Sequence, residues 1–199
     1  MGRKVIDRER KALTKKIKLW VRELVPLLQD KELNNFTIDE LAELGGKSKS
    51  NIYAYFSTKE EIYKAVVQSI VDEMDFVISK EAIQGNDVEQ NYRTLLIRLS
   101  EGIQDLSINF IEQMQRHFPA AWDIIEEFSM KVLSNLESLY KKGMESGVFK
   151  TFNISLLTEL DRHFVMSIMT NATRFTNQGL TFKGLISEYL ELRLAALKH

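Results

Sequence analysis

The stretch GGKSKSNIYAYF, residues 45–56, carries the side chains in this chain that are best suited to specific chemistry. Its amide, hydroxyl and ammonium groups are hydrogen-bonding groups, and they lie within a few residues of one another. Asn51 can bond the edge of an adenine twice, Lys49 can donate to guanine or to a phosphate, and Ser50 tolerates either kind of contact. These residue types predict a surface that reads nucleic acid.

Motifs for catalysis or for cofactor binding are missing from the sequence. The chain has no cysteine, and none of its three histidines, at positions 117, 163 and 199, follows a glutamate by three residues, as a di-iron bundle would need. It has no phosphate-binding glycine loop, no dinucleotide fingerprint and no His-Glu-x-x-His segment. We therefore predict that the protein is not an enzyme and that it holds no metal and no cofactor.

A sharp interhelical turn should position the candidate reading residues. Thr37 can cap one helix, with Glu40 as the return partner of a capping box. Gly45 and Gly46 then supply the backbone freedom for the positive φ that a tight turn needs, and Ser48 can cap the next helix. The pattern predicts a helix-turn-helix whose second helix enters the major groove of duplex DNA by its N-terminal end.

Residues 37–67 resemble the DNA-binding module of the tetracycline-repressor (TetR) family of bacterial transcription regulators. That family shows a Thr-[hydrophobic]-x-x-[hydrophobic]-Ala helix, an Ala-Gly-Val-Ser turn, a recognition helix ending Leu-Tyr-x-[Tyr/His]-Phe and a Lys-Glu-x-[hydrophobic] start to the next helix. The corresponding residues here are Thr37, Ile38, Leu41, Ala42, Gly45, Gly46, Ser48, Ile52, Tyr53, Tyr55, Phe56, Lys59, Glu60 and Ile62. The resemblance implies a transcription regulator, with repression as the expected mode.

Several further side chains join the predicted DNA-contacting set. Lys47 stands where the family prefers an aliphatic residue, and its ammonium can reach water or a phosphate. Tyr53 and Tyr55 can present hydroxyls to the DNA backbone, with core packing as the alternative for each. Lys59 lies at a helix N-terminus and should face a phosphate. The predicted set is Thr37, Lys47, Ser48, Lys49, Ser50, Asn51, Tyr53, Tyr55 and Lys59.

The remainder of the sequence predicts an all-α protein, because apolar residues recur at three- and four-residue spacing while only two prolines and nine glycines interrupt 199 residues. Pro26 should kink or end the first helix near Val25. Predicted helices span 10–25, 38–44, 48–55, 59–81, 87–116, 120–142, 154–176 and 182–197. We expect an N-terminal three-helix helix-turn-helix domain over residues 1–64, followed by a helical-bundle ligand-binding and dimerisation domain over residues 65–199.

Charge is distributed unevenly between these two predicted domains. Residues 1–64 hold 14 Lys/Arg against 10 Asp/Glu, whereas residues 65–199 hold 13 against 18. A basic N-terminal module suits double-stranded DNA, although a solvated helix and tail would give the same imbalance. The segment MGRKVIDRERK at residues 1–11 can lie along the DNA backbone, enter a minor groove or be disordered.

The central part of the chain predicts a pocket for a small apolar effector. Large adaptable side chains with few polar anchors suit such a pocket, although the same pattern is typical of an ordinary core. For His163 the alternative is a buried packing histidine. The predicted pocket residues are Phe110, Met114, Phe118, Trp122 and His163.

The two C-terminal helices, 154–176 and 182–197, carry wide apolar stripes. They predict a homodimer through a four-helix interface, which matches the two-fold symmetry of a palindromic operator, although intramolecular core is the alternative for both stripes. No apolar run approaches the roughly 18 residues that a membrane helix needs, so we expect no membrane span and a cytoplasmic location. Two other function classes stay open, a helical-bundle carrier or enzyme and a protein-interaction adaptor that uses the helix-turn-helix only as a scaffold.

Overall fold

The computed structural model of the protein describes residues 10–81, 87–103, 105–170 and 179–199. These residues form nine α-helices and a short 3-10 turn at Leu33–Asn35, without a β-strand among them. The predicted all-α fold is therefore confirmed. The helices are α1 (Lys15–Leu28), α2 (Ile38–Leu44), α3 (Lys49–Tyr53), α4 (Lys59–Glu81), α5 (Val88–Ile103), α6 (Ile108–His117), α7 (Pro119–Glu145), α8 (Ile154–Thr170) and α9 (Phe182–Leu197).

The first helix differs from its prediction at both ends. It begins at Lys15 because Thr14 caps it, accepting a hydrogen bond from the Ile17 amide at 3.4 Å. It also continues past Pro26 to Leu28, so the predicted end of the helix at residue 25 was wrong, and a kink at Pro26 stays a prediction. Pro26 lies in the last turn, where its missing N–H removes one internal hydrogen bond, and the Gln29 side-chain amide donates to the Val25 carbonyl at 2.7 Å.

The single helix predicted over 87–116 is in fact two helices, α5 and α6. Ser107 caps α6, and its hydroxyl accepts a hydrogen bond from the Phe110 amide at 3.1 Å. The Ser107 amide itself donates to the Gln29 side-chain oxygen at 2.5 Å. These hydrogen bonds of Ser107 replace the ones that a continuous helix would make at this position. One of the partners, Gln29, comes from the end of α1. The break therefore depends on a tertiary contact that periodicity does not contain.

Two hydrophobic clusters fill the protein, and α4 passes through both. The first unites α1 to α4 with α6 and the first turns of α7, and the second unites α5, α7, α8 and α9 with the C-terminal half of α4. The boundary expected between residues 64 and 65 falls within α4, and the two-domain division stays a prediction. No helix in the described part of the chain combines the length and hydropathy that a membrane span requires.

Candidate nucleic-acid interface and apolar cavity

The first helix of the predicted motif, α2, starts with the capping box expected from the sequence. The Thr37 hydroxyl accepts from the Glu40 amide at 3.2 Å, and the Glu40 carboxylate accepts from the Thr37 amide at 2.8 Å. The Thr37 amide and the Thr37 hydroxyl both donate to this carboxylate, and these two hydrogen bonds lower the pKa of the exposed Glu40 carboxyl. Two of the unpaired amide groups at the start of α2 are thereby satisfied, which fixes where the helix begins.

The two turn glycines serve different purposes. Gly46 has a φ of 65°, as a tight turn requires, but Gly45 has a φ of −92° that any residue can adopt. A Cβ atom on Gly45 would lie 2.0 Å from Nε1 of Trp20, a fully buried side chain of α1. The expectation that both glycines supply positive φ is thus corrected, because Gly45 instead makes room for the indole ring.

The recognition helix, α3, presents a polar face to solvent. Ile52 and Phe56 are buried, so the opposite face carries the exposed residues of the motif. Ser48 occupies the N-cap position as predicted, but its hydroxyl makes no cap hydrogen bond and lies 3.4 Å from the hydroxyl of Ser50. Exposed residues of the predicted contact set on this side are Ser48, Lys49, Ser50, Asn51 and Tyr53.

An acidic residue that the sequence analysis missed lies beside this face. The Lys49 ammonium donates to Oδ2 of Asp39 in α2 at 2.6 Å, and this hydrogen bond and charge raise the pKa of Lys49. Burial, followed by the charge of Asp39, also raises the pKa of Tyr53. Oδ1 of Asp39 is buried without a hydrogen-bond partner among the described residues. Acidic residues are common in the first turn of a helix, where they interact favourably with the helix dipole. Nothing in the sequence therefore indicated that Asp39 pairs with Lys49.

The remaining predicted contacts flank α3. Lys59, the first residue of α4, donates to the main-chain carbonyl of Asn34 and lies 3.4 Å from that residue's side-chain oxygen. Thr58 caps α4 as expected, accepting from the Glu61 amide at 3.2 Å. Tyr55 and Lys47 are half-buried, and Tyr55 packs against the core beneath the motif. The predicted set thus lies on α3 and on the adjoining segments at the start of α2, in the turn and at the start of α4.

The basic segment before α1 docks on the C-terminal end of α3. Arg10 donates from Nε to the Ser57 hydroxyl at 2.6 Å, and its guanidinium also bonds the Tyr53 carbonyl. The Lys11 amide donates to the Ala54 carbonyl at 3.1 Å. This part of the N-terminal segment therefore lies beside the recognition helix, whereas residues 1–9 lie outside the described part of the chain.

An apolar cavity of about 130 Å³ lies among α4 to α9, but it includes only Phe110 of the five predicted pocket residues. Met114 and Phe118 are buried in the first hydrophobic cluster, where Phe118 packs on the ring of Tyr63 with centroids 4.3 Å apart. Trp122 is also buried there and donates to Glu126 at 2.8 Å. Met114, Phe118 and Trp122 thus pack in the cluster that includes the DNA-binding helices, whereas Phe110 also reaches the cavity.

His163 is mainly exposed, with Nε2 3.0 Å from Glu159 one turn earlier. It neither lines the cavity nor packs in the core. Leu160, three residues earlier on the same face of α8, is also exposed, so His163 lies on the side of the helix that is open to solvent.

The cavity has a polar edge that the sequence analysis missed. Asp161 is 1% exposed and accepts hydrogen bonds from the hydroxyls of Tyr140, at 2.6 Å, and Tyr189. Arg193 of α9 donates to the same carboxylate through Nε at 3.0 Å and Nη2 at 2.8 Å. The Tyr92 hydroxyl lies 3.3 Å from that of Tyr140. A buried charge pair with three tyrosines therefore ties α5, α7, α8 and α9 together.

Helix α6 connects the cavity with the DNA-binding helices. Its residues Phe110 and Ile111 line the cavity. On another face, the Gln113 side-chain amide donates to the Lys31 carbonyl at 2.6 Å, and its oxygen accepts from the Leu33 amide. The connection between α1 and α2 is thus hydrogen-bonded to a helix that also forms the cavity wall.

No group of three His, Asp or Glu side chains that could hold a metal occurs within the described ranges.

Comparison with known families identifies the helix-turn-helix segment. The profile described as "Bacterial regulatory proteins, tetR family" matches residues 25–66. The chain is 28% identical over 96 residues to an uncharacterized HTH-type transcriptional regulator of Bacillus subtilis, YvaF, covering 47% of this chain and 50% of that protein. It is 23% identical over 158 residues to a second such regulator of the same organism, YfiR, covering 75% and 76%. The aligned region thus spans half the length of the first relative.

Solved structures extend the similarity to the fold of nearly the whole chain. A TetR transcription regulator from Haloarcula marismortui has a TM-score of 0.75 at 18% identity, covering 92% of this chain and 98% of that one. The regulator FadR from Bacillus subtilis, solved in complex with stearoyl-CoA, has a TM-score of 0.67 at 15% identity, covering 92% and 100%. With the motif geometry, the profile match identifies residues 25–66 as a DNA-binding helix-turn-helix module of the TetR type, and the solved structures show that nearly the whole chain has the fold of TetR regulators.

Proposed function

We propose that this protein is a homodimeric repressor of the TetR family that a small apolar effector releases from a palindromic operator. The observation that carries the proposal is the position of α6. One face of α6 closes the cavity through Phe110 and Ile111, and another holds the backbone of Lys31 and Leu33 through Gln113. A ligand that displaces α6 would also displace the connection to α2.

The energetic argument is one of linkage. Suppose that the ligand binds best when the two DNA-binding modules of the dimer are spaced differently from the half-sites of the operator. The ligand then weakens DNA binding, and DNA weakens ligand binding by the same factor. The cavity supports an apolar ligand because aliphatic and aromatic side chains form most of its wall. Among proteins of this fold, FadR was solved with stearoyl-CoA, a ligand with a long apolar chain.

The DNA-contacting set of the sequence analysis is retained in this proposal, with Asn51, Lys49 and Ser50 at base edges and Lys59 at the backbone. The exposed polar face of α3 supports it. Arg10 joins the set, because it lies at the C-terminal end of α3.

The proposed dimer uses exposed leucines of α8 and α9. Part of each predicted stripe is intramolecular core, since Leu157 and Ile186 are buried within the subunit. Leu156, Leu160 and Leu192 remain 57%, 48% and 70% exposed. A stripe of large apolar side chains open to water on the C-terminal helices suits a contact with a second copy of the chain.

Selection of bound fragments from the source genome tests the DNA-binding part of the proposal. We expect an inverted-repeat consensus bound by two protomers, affinity that falls steeply with salt, and lower transcription from a promoter that contains the repeat. Recovery of no common sequence, or of single half-sites bound by one protomer, would contradict it.

A cavity-filling variant tests the coupling without a known effector. Ile111→Phe adds volume on the cavity face of α6, so we expect weaker operator binding by a protein that remains folded. Met130→Phe, at a position of α7 that is 61% exposed, is the control and should bind as the wild type does. Unchanged operator affinity in folded Ile111→Phe would contradict coupling through α6.

A further inference from the structure

The recognition helix α3 is short, and contacts at both of its ends come from elsewhere in the chain. It spans Lys49–Tyr53, whereas an isolated helix shorter than about 12 residues is only marginally stable in water. At the N-terminal end, Lys49 bonds Asp39 of α2. At the C-terminal end, the last carbonyl groups of a helix have no partner within the helix and must find one outside it. Contacts with other segments therefore decide how firmly the polar face of α3 is held.

The segment before α1 supplies donors for the C-terminal end of α3. The Arg10 guanidinium donates to the Tyr53 carbonyl, and the Lys11 amide donates to the Ala54 carbonyl at 3.1 Å. Arg10 and Tyr53 are 43 positions apart in the sequence. The recognition helix is thus capped by a tertiary contact and not by its own neighbours.

Arg10 also holds the turn that follows α3. Its Nε group donates to the Ser57 hydroxyl at 2.6 Å, and the Ser57 amide donates to the carboxylate of Glu61, in the first turn of α4, at 2.5 Å. One planar guanidinium therefore joins the end of α3 to the turn before α4 through two N–H groups in a fixed geometry. Its other N–H groups take no part in these two bonds and can still reach a phosphate.

Building on the proposed reading of base edges by α3, we propose that Arg10 is a positioning residue for operator recognition. It keeps α3 in the place from which Asn51, Lys49 and Ser50 reach the bases, in addition to any contact that its remaining N–H groups make with a phosphate. A hydrogen bond to a base edge needs a defined distance and angle, whereas attraction to phosphates carries no sequence information. A displaced α3 therefore loses affinity for the operator and keeps its affinity for unrelated DNA.

Arg10→Lys separates positioning from charge. Lysine keeps the positive charge that attracts a phosphate, but its single ammonium group cannot reproduce the planar two-point contact to Tyr53 and Ser57. Because about one hydrogen bond is lost, we expect the affinity for the inverted repeat recovered from the genome to fall about three- to tenfold. The affinity for an unrelated duplex of equal length, and its salt dependence, should stay as in the wild type. Fluorescence anisotropy with both labelled duplexes measures the ratio.

Lys11→Ala is the matched control for charge. The side chain of Lys11 is exposed, and its contribution to the cap is its main-chain amide, which alanine retains. The change therefore removes a neighbouring positive charge and leaves the cap intact. It should alter the affinities for the repeat and for the unrelated duplex by the same factor, so their ratio should stay as in the wild type.

Ser57→Ala tests whether Arg10 acts through this contact. It removes the hydroxyl that the Arg10 Nε group bonds and changes no charge. It should lower the affinity for the repeat by itself. In this background the additional loss caused by Arg10→Lys should be at most half as large as in the wild type, because part of the contact is already missing. A residue that acts on DNA alone would cause the same loss in both backgrounds.

The changed side chains are all exposed, so the three variants should melt at nearly the temperature of the wild type. The outcomes separate this inference from the proposal on which it rests. If the wild type binds the recovered repeat no more tightly than unrelated DNA, the reading of bases by α3 fails, and the positioning role fails with it. If the wild type prefers the repeat and Arg10→Lys keeps the full preference, or weakens binding to both duplexes equally, the positioning role is overturned while the reading of bases by α3 stands.

Discussion

Replacing Gly45 with alanine should destabilise the DNA-binding module through one steric contact. The added Cβ would lie 2.0 Å from Nε1 of Trp20 and 2.9 Å from two further indole atoms. Ordinary contact begins at 3.4 Å, so about 1.4 Å must open between the turn and the ring. The φ of Gly45 is ordinary, and the backbone adds no penalty of its own.

The surroundings of Trp20 set the size of the effect. Its side chain is fully buried and packs against Phe56, with ring centroids 6.2 Å apart, so the ring has little room to withdraw. Overpacking of a closed core costs about 1–3 kcal/mol, and a clash this close belongs at the upper end. For a chain of this length, 2–3 kcal/mol corresponds to a melting temperature lower by about 4–12 °C.

A double-mutant cycle measured by denaturant unfolding checks this origin. In a Trp20→Phe background the smaller ring leaves space beside the turn, so Gly45→Ala should lose at least half of its cost. Gly46→Ala is the matched control. Its added Cβ atom would meet no atom within 4 Å, but the alanine would be held at a φ of 65°. The resulting loss of stability, about 1–2 kcal/mol, should be the same in both backgrounds. An equal cost of Gly45→Ala in both backgrounds would refute the steric explanation.

Three further changes test the proposed contacts. Asn51→Ala should remove about 1–3 kcal/mol of discrimination at one base pair per half-site and leave non-specific binding nearly unchanged; an unaltered consensus after binding-site selection would remove Asn51 from the reading set. Leu156→Glu combined with Leu160→Glu should give a folded monomer in sedimentation experiments, since both side chains are exposed within the subunit, and an intact dimer would place the interface elsewhere. Asp39→Asn removes the negative partner of Lys49, so it should tighten binding to unrelated duplex DNA at low salt, and weaker binding would instead indicate that Asp39 holds α3 in place.

Features that depend on neighbouring residues in the sequence were mostly predictable, although the expected cap hydrogen bond of Ser48 does not form. The capping box at Thr37 and Glu40 and the cap at Thr58 each require side chains only three residues apart. Their partners are always within reach once the helix forms. The same holds for the exposed face of α3, because burial of Ile52 and Phe56 fixes which side of the helix remains open. The fold class and the candidate DNA face followed from such local signals.

Features that depend on distant residues were not predictable in this way. Asp161 is buried because Tyr140, Tyr189 and Arg193 reach it from 21, 28 and 32 positions away, and nothing in its own helix distinguishes it from a solvated aspartate. The cavity likewise depends on which faces of six helices meet. An apolar stripe shows that a residue such as Met114 is buried, but it does not show whether it meets a neighbour or an empty space.

In the proposed DNA-contacting face, two lysines already have hydrogen-bond partners within the protein. Lys49 is bonded to Asp39, and Lys59 is bonded to Asn34, so both ammonium groups already have oxygen partners. A phosphate on unrelated DNA would have to displace these partners, and at Lys49 it would also approach the charge of Asp39. Each of these lysines therefore contributes less to the affinity for non-specific DNA than a lysine without a protein partner would. Asn51, whose side chain has no hydrogen bond among the described residues, must displace no protein partner when it meets a base edge. We therefore expect this arrangement to increase the ratio of operator to non-specific affinity, the quantity that decides occupancy on a genome.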